Sequence, residues 1–184
     1  SLPFPEKWMN DVCKMYENIT SVKDSPWGKI AINFAKKSFT EIQKTLFQIK
    51  NISSENENIQ KSYGEAIEKD LSEVNSIIES LSTESWDKIA EKITQFSFSK
   101  LKPLRCKDCD FEKNIISEKR EYAKNLIKNT KKYFIFFELG TINALEKFKI
   151  VTKTLFDATN YLSQEISYLK TIRNIADYSD LEHW

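Results

Sequence analysis

Apolar residues recur along this chain at steps of three and four, and that spacing predicts helix over most of its length. Trp8, Val12 and Met15 or Tyr16 mark a short amphipathic helix from about Pro5 to Asn18, with Trp8 expected to pack on the next helix. Ser25-Pro26-Trp27-Gly28 then reads as a helix start, because Ser25 can cap free N–H groups and Pro26 has its φ pre-set for the first turn. Ile30, Phe34, Lys37 or Ser38, Ile42, Leu46 and Ile49 carry that helix to about Lys50, and the polar run 51–56 is expected to be a surface connection.

A further helix from about Ile59 to Leu81 places Tyr63, Ile67, Leu71, Val74, Ile77 or Ile78, and Leu81 on its apolar face. Glu65, Glu68, Asp70, Glu73 and Glu79 are expected on the opposite, solvated face, where carboxylates would repel phosphates. Thr83 or Ser85 caps a short helix that buries Trp86, Ile89, Ala90 and Ile93. Pro103 and the alternation at 96–99 predict an irregular connection from about Gln95 to Asp110.

Two long helices follow. Phe111, Ile115, Tyr122, Leu126, Tyr133 and Phe137 define the apolar face of one, opposite Lys113, Lys119, Arg120, Lys124, Lys128, Lys131 and Lys132. Its aromatic end, 133–137, is expected to plug into the core or else to present a partner surface. Leu145, Phe148, Thr152, Leu155, Thr159, Leu162, Ile166, Leu169 and Ala176 predict a last helix packed lengthwise on others from about Thr141 to Ile175. At about 35 residues it would be on the order of 50 Å long. The predicted fold is all-α: an elongated bundle of long antiparallel helices with an irregular connection near 95–110.

Composition supports helices over sheets, since 3 glycines and 4 prolines leave few corners for hairpins. The formal net charge of +1 gives no global pull toward nucleic acid. The distribution is uneven, however: between Lys100 and Lys132 basic residues outnumber acidic ones roughly two to one. Lys102, Arg105 and Lys107 in the connection, with Lys119, Arg120 and Lys124 on the following helix, are the candidate phosphate contacts. No apolar run approaches the roughly 20 residues of a membrane span, and the N-terminus lacks a secretory pattern. A cytoplasmic protein without a membrane partner is expected.

Candidate catalytic chemistry is sparse. Gly28, Gly64 and Gly140 are isolated, so no phosphate-cradling Gly-x-x-x-x-Gly-Lys-Ser/Thr loop can form. Cys106-Lys107-Asp108-Cys109 is half of a zinc knuckle or a redox pair, but the other candidate ligands, Cys13 and the lone His183, are remote in sequence. The cysteines are therefore expected to be incidental, with no catalytic, cofactor or metal residues.

The segment Asp177-Tyr178-Ser179-Asp180-Leu181 resembles the Asp-aromatic-x-Asp-Leu segment with which UvrD-like superfamily 1 helicases re-enter their first motor domain, and Glu182-His183 narrows the resemblance to the AddA family of bacterial ATP-dependent helicase/nucleases. Trp8, Ser25-Pro26-Trp27-Gly28, Ser85-Trp86-Asp87 and Leu101-Lys102-Pro103-Leu104-Arg105 resemble, in order, the 1B insertion subdomain of that family.

The resemblance implies a fragment of a larger enzyme: residues 1–176 as the 1B-like subdomain, and 177–184 as the start of the return into the motor domain, expected to be frayed, displaced or borrowed by a neighbouring molecule in isolation. It implies a non-catalytic subdomain of a helicase and exonuclease of double-strand break repair and recombination, contacting duplex DNA through its backbone ahead of strand separation. ATP and Mg would belong to the parent, and the parent's partners would be the rest of its chain and an AddB-type subunit that carries the iron–sulfur cluster. The other reading is a structural or protein-interaction bundle with no direct DNA contact.

Overall fold

The computed structural model describes residues 5–104, 106 and 109–176. Six helices and no strands are found among them: α1 (Pro5–Lys14), α2 (Pro26–Ser54), α3 (Glu57–Thr83), α4 (Trp86–Gln95), α5 (Asp110–Lys131) and α6 (Glu138–Arg173). The all-α expectation holds. The returning segment 177–184, with Arg105 and Lys107, lies outside the described residues. The chain divides into two compact units, one of Thr20–Thr141 and one of Ser1–Ile19 with Ile142–Trp184.

The larger unit is built on α2, α3 and α5. Ser25 starts α2 as its sequence requires, its Oγ accepting from Gly28 N at 3.0 Å, with Pro26 in the first turn. Gly28 is there because the chain folds back on it: a Cβ would meet the Val22 carbonyl oxygen at 1.7 Å and Lys23 Cα at 3.1 Å. Both are backbone, so neither can swing away. Gly28→Ala is expected to destabilise the fold by about 2 kcal/mol, as overpacking typically does, and an unchanged urea midpoint would contradict this close approach.

The polar run 51–56 is not a loop. α2 continues through it to Ser54, with Ser53 fully buried, and the turn into α3 is confined to Glu55 and Asn56. Asn56 caps α3 by accepting from Asn58 N at 3.0 Å and Ile59 N at 3.4 Å. So short a turn makes α2 and α3 antiparallel neighbours. Contacts of Phe34 with Tyr133 and of Gln48 with Lys119 run α5 antiparallel to α2 as well.

The buried stripe of α2 lies one residue away from the expected one in its first half. Ile30 and Phe34 are exposed, and Ala31, Ala35 and Phe39 face the core before Ile42, Leu46 and Ile49 continue it. Small side chains let neighbouring helices approach closely, which a count of large apolar residues does not register. In α3 the expected positions Tyr63, Ile67, Leu71, Val74, Ile77 and Leu81 are buried, and α4 buries Trp86, Ile89, Ala90 and Ile93 as predicted.

α5 is rotated from its expected orientation. It buries Ile116, Arg120, Ala123, Ile127 and Thr130, while Phe111 and Tyr122 are exposed. Of its aromatic end only Phe134 is inside, stacked on Trp86 at 4.9 Å; Tyr133, Ile135, Phe136 and Phe137 are all more than half exposed. Trp86 Nε1 also donates to the Phe136 carbonyl at 3.1 Å, and Asp87 accepts from Glu138 N at the start of α6.

In the smaller unit α1 runs antiparallel to α6. Trp8 meets Phe156 with ring centroids 5.6 Å apart, so its partner is the last helix rather than the next one. Glu17 pairs with Lys149 at 3.9 Å. α6 ends at Asn174, whose φ of 51° suits one of the few side chains that tolerate the left-handed region. The stripe Phe148, Leu155, Leu162, Ile166 and Leu169 is regular but uncovered, and α6 has no buried residue. The face of α6 that meets α1 is therefore the one with Phe156 and not the expected stripe. No helix among the described residues is long and apolar enough to cross a membrane.

Candidate nucleic-acid interface

Between α4 and α5 the described residues 96–104, 106 and 109 form no regular structure, and the start of this connection is fastened from beneath. Phe96 is buried edge-on against Phe39 and Phe98. Lys131 of α5 donates to the Thr94 and Phe96 carbonyls at 2.7 and 2.8 Å. Ser99 is held by both of its backbone groups: its N–H donates to Asp70 Oδ1 at 2.8 Å, and its carbonyl accepts from Arg120 Nη2 at 2.7 Å.

Asp70 and Arg120 complete the clasp as an ion pair at 3.4 Å, with side-chain exposures of 0% and 7%. The Arg120 guanidinium also lies 5.2 Å from the centre of the Phe98 ring, within cation–π range. Burial pushes the Asp70 carboxyl up and the Arg120 guanidinium down, although Ser99 and the opposite charges counter it. Burial likewise raises the Tyr63 hydroxyl, with Arg120 acting against it. Neither charge is on the face expected for it. Asp70 does not belong to the solvated acidic face of α3, and Arg120 does not belong to an exposed basic face of α5; each is committed to the other inside the bundle.

Directly above this pair is an open cleft of about 350 Å³, lined by Tyr63, Phe98, Ser99, Leu101, Ile116, Ser117 and Arg120 and rimmed by Lys100, Lys113 and Lys124. Lys124 is one of the expected contacts; it also pairs with Glu121 at 3.3 Å. Lys100 and Lys113 are not, although they complete the rim. Both are exposed, and neither has an ion-pair partner among the described residues. The missed signal is their flanking position: each stands where the connection meets the same side of α5 as Lys124.

Two other expected contacts are already engaged within the fold. Lys102 pairs with Glu65 of α3 at 2.8 Å and holds that carboxyl below its ordinary pKa. Lys119 donates to Gln48 Oε1 of α2 at 2.7 Å. Exposed bonds of this sort are weak enough to exchange for a phosphate. The cleft thus brings together Lys100, Lys113 and Lys124 with Arg120, whereas Lys102 is turned to Glu65 of α3 and Lys119 lines a separate cleft with Gln48 and Tyr122 against α2. No group of three or more His, Cys, Asp or Glu side chains among the described residues is placed to hold a metal ion.

The cysteine pair also departs from expectation. Cys106 and Cys109 are joined by a disulfide, whereas Cys13 is free.

No protein-family model matches the chain. Curated relatives do, along nearly all of it. The A subunit of the ATP-dependent helicase/nuclease of Listeria monocytogenes serotype 4b is 27% identical over 98% of this chain. The proteins of the same name from Clostridium kluyveri and Geobacillus thermodenitrificans are 26% and 25% identical over 99% and 100% of it. The chain is similar, along nearly its whole length, to part of the helicase/nuclease A subunit, AddA. It spans 15% of the length of each of these AddA relatives. The likeness to AddA includes the basic connection and α5, and extends well beyond the short motifs that resemble the family.

Proposed function

We propose that this chain is a 1B-type helical insertion of an AddA helicase/nuclease, and that its rimmed cleft takes the phosphodiester backbone of duplex DNA ahead of strand separation. The observation that carries this reading is the convergence of Lys100, Lys113 and Lys124 on one cleft, in a chain similar throughout to proteins named as the A subunit of a helicase/nuclease. Lys102, Arg105, Lys107, Lys119 and Lys124 remain candidate backbone contacts, joined by Lys100 and Lys113; Arg120 supports the cleft floor from inside. The role is non-catalytic. The lysines position a duplex without reading its sequence, and ATP, Mg and an AddB-type partner are assigned to the parent enzyme.

The test is fluorescence anisotropy with a duplex carrying a short single-stranded tail, across a range of salt. Reversing Lys100, Lys113 and Lys124 to Glu together is expected to weaken binding by at least about tenfold at low salt, and to flatten the salt dependence by about 0.9 in log–log slope per lost contact. Unchanged affinity and slope would sink the assignment.

The exposed side chains Tyr133, Ile135, Phe136 and Phe137 favour a second reading, a bundle that docks on protein rather than DNA. Sedimentation separates the two, since salt-insensitive self-association without DNA binding supports the docking bundle.

A further inference from the structure

The connection is fastened at Ser99 by the Asp70–Arg120 clasp; close to α5, Cys106 and Cys109 lie against the start of α3. Cys106 and Cys109 are bonded with Cα atoms 5.6 Å apart, inside the range that a disulfide spans without backbone distortion. Their surroundings are unequal. Cys106 is partly exposed, whereas Cys109 is 1% exposed and stands at the N-cap of α5 with no side-chain capping bond of its own. Asn56 Nδ2 donates to Cys109 Sγ at 3.3 Å while the same amide's oxygen caps α3, and Asn58 Nδ2 approaches Cys106 Sγ at 4.0 Å. The sulfur pair is therefore wired into the start of two helices.

We propose that Cys106 and Cys109 form a reversible thiol–disulfide couple that locks the end of the basic connection onto the start of α3. A small dithiol supplies the reducing equivalents. Its thiolate attacks the accessible Cys106 Sγ, the S–S bond breaks, and Cys109 leaves as a thiolate that then takes up a proton. The α5 N-terminus and the Asn56 N–H both stabilise that leaving thiolate, which makes Cys106 the favoured point of attack. The reductant's second thiol then attacks the mixed disulfide, Cys106 departs and is protonated, and the reductant is released as a cyclic disulfide. Two electrons pass to the protein. This couple is independent of whether the cleft binds DNA.

The experiment equilibrates the chain with reduced and oxidised dithiothreitol in varying ratio, quenches in acid, alkylates the thiols and locates the adducts by mass. Adducts on Cys106 and Cys109 are expected to appear together in a single transition, with Cys13 alkylated at every ratio. Absence of a 106–109 disulfide at the oxidised end, or independent appearance of the two adducts, overturns the couple. Hydrogen exchange on the same samples reads the lock: the Asn58 and Ile59 amides are expected to exchange about tenfold faster after reduction, with the amide of buried Val74 unchanged. The variant carrying both Cys106→Ser and Cys109→Ser is expected to show the fast rate in either buffer. Exchange at Asn58 and Ile59 that ignores the redox state in the unmodified chain overturns the lock.

Discussion

Replacing Arg120 by alanine is expected to destabilise the fold by about 3–5 kcal/mol, the usual consequence of removing one partner from a buried ion pair. Asp70 is fully buried, so its carboxylate would lose its countercharge with no water to replace it, and the Ser99 carbonyl would lose its donor. Urea unfolding at neutral pH measures the change. The variant carrying both Asp70→Leu and Arg120→Met is expected to recover most of the loss, because the desolvation cost disappears with the charges. An Arg120→Ala chain as stable as the parent would show that the pair is not buried as described.

The pH dependence has a defined sign. Burial holds the folded Asp70 carboxyl above its unfolded pKa, so folding penalises the ionised form. That contribution to stability is fully present below the unfolded pKa and is lost as pH rises through the folded one. The doubly apolar variant lacks this titration. Its stability relative to the parent is therefore expected to rise across the same window, and a difference that stays flat with pH would count against it.

Trp86→Ala is the second large effect, at about 3–5 kcal/mol for loss of a large buried aromatic. Trp86 is 2% exposed, lies on Phe134, and bonds through its indole N–H to the Phe136 carbonyl. It joins the start of α4 to the stretch just past α5, 50 residues on in sequence. Trp86→Phe keeps most of the packing and loses the hydrogen bond, so it is expected to lose only about 1–2 kcal/mol. Denaturant midpoints of both variants check the ordering; equal losses would mean that the hydrogen bond outweighs the packing.

Much of the fold is legible in the sequence because its strongest signals are local. The Ser25-Pro26 start of α2 and the four buried positions of α4 depend on neighbours in the same helix, and the structure places them where spacing does. The departures in α2, α3 and α5 share one cause, namely that size and charge are imperfect guides to burial. Ile30 and Phe34 outweigh Ala31 and Ala35 in an apolar count, although the small residues face the core. Asp70 and Arg120 point to solvated faces by residue type, because charges seldom lie inside.

Yet both charged residues are in register with buried stripes: Asp70 stands three after Ile67 and four before Val74, and Arg120 four after Ile116 and three before Ala123. Periodicity contains that information and residue type masks it. The cleft is less accessible still. Lys113 and Lys124 share a face of α5, but Lys100 joins them only because the clasp draws the connection against that helix, and no single segment encodes that meeting. The stripe of α6 is real as a pattern but not as a contact, since a helical period shows which face is apolar and not what covers it.

Fastening of the connection also bears on how the cleft would respond to an approaching charge. With Ser99 held on both sides of its peptide and the Thr94 and Phe96 carbonyls tied to Lys131, the backbone beneath Lys100 has little freedom left to lose. A phosphate arriving there orders flexible lysine tips but not a wandering loop, so the entropy cost of association is confined to side chains. Encounter should then be governed by long-range attraction, with association rates falling as salt rises and little sign of a slow rearrangement after contact.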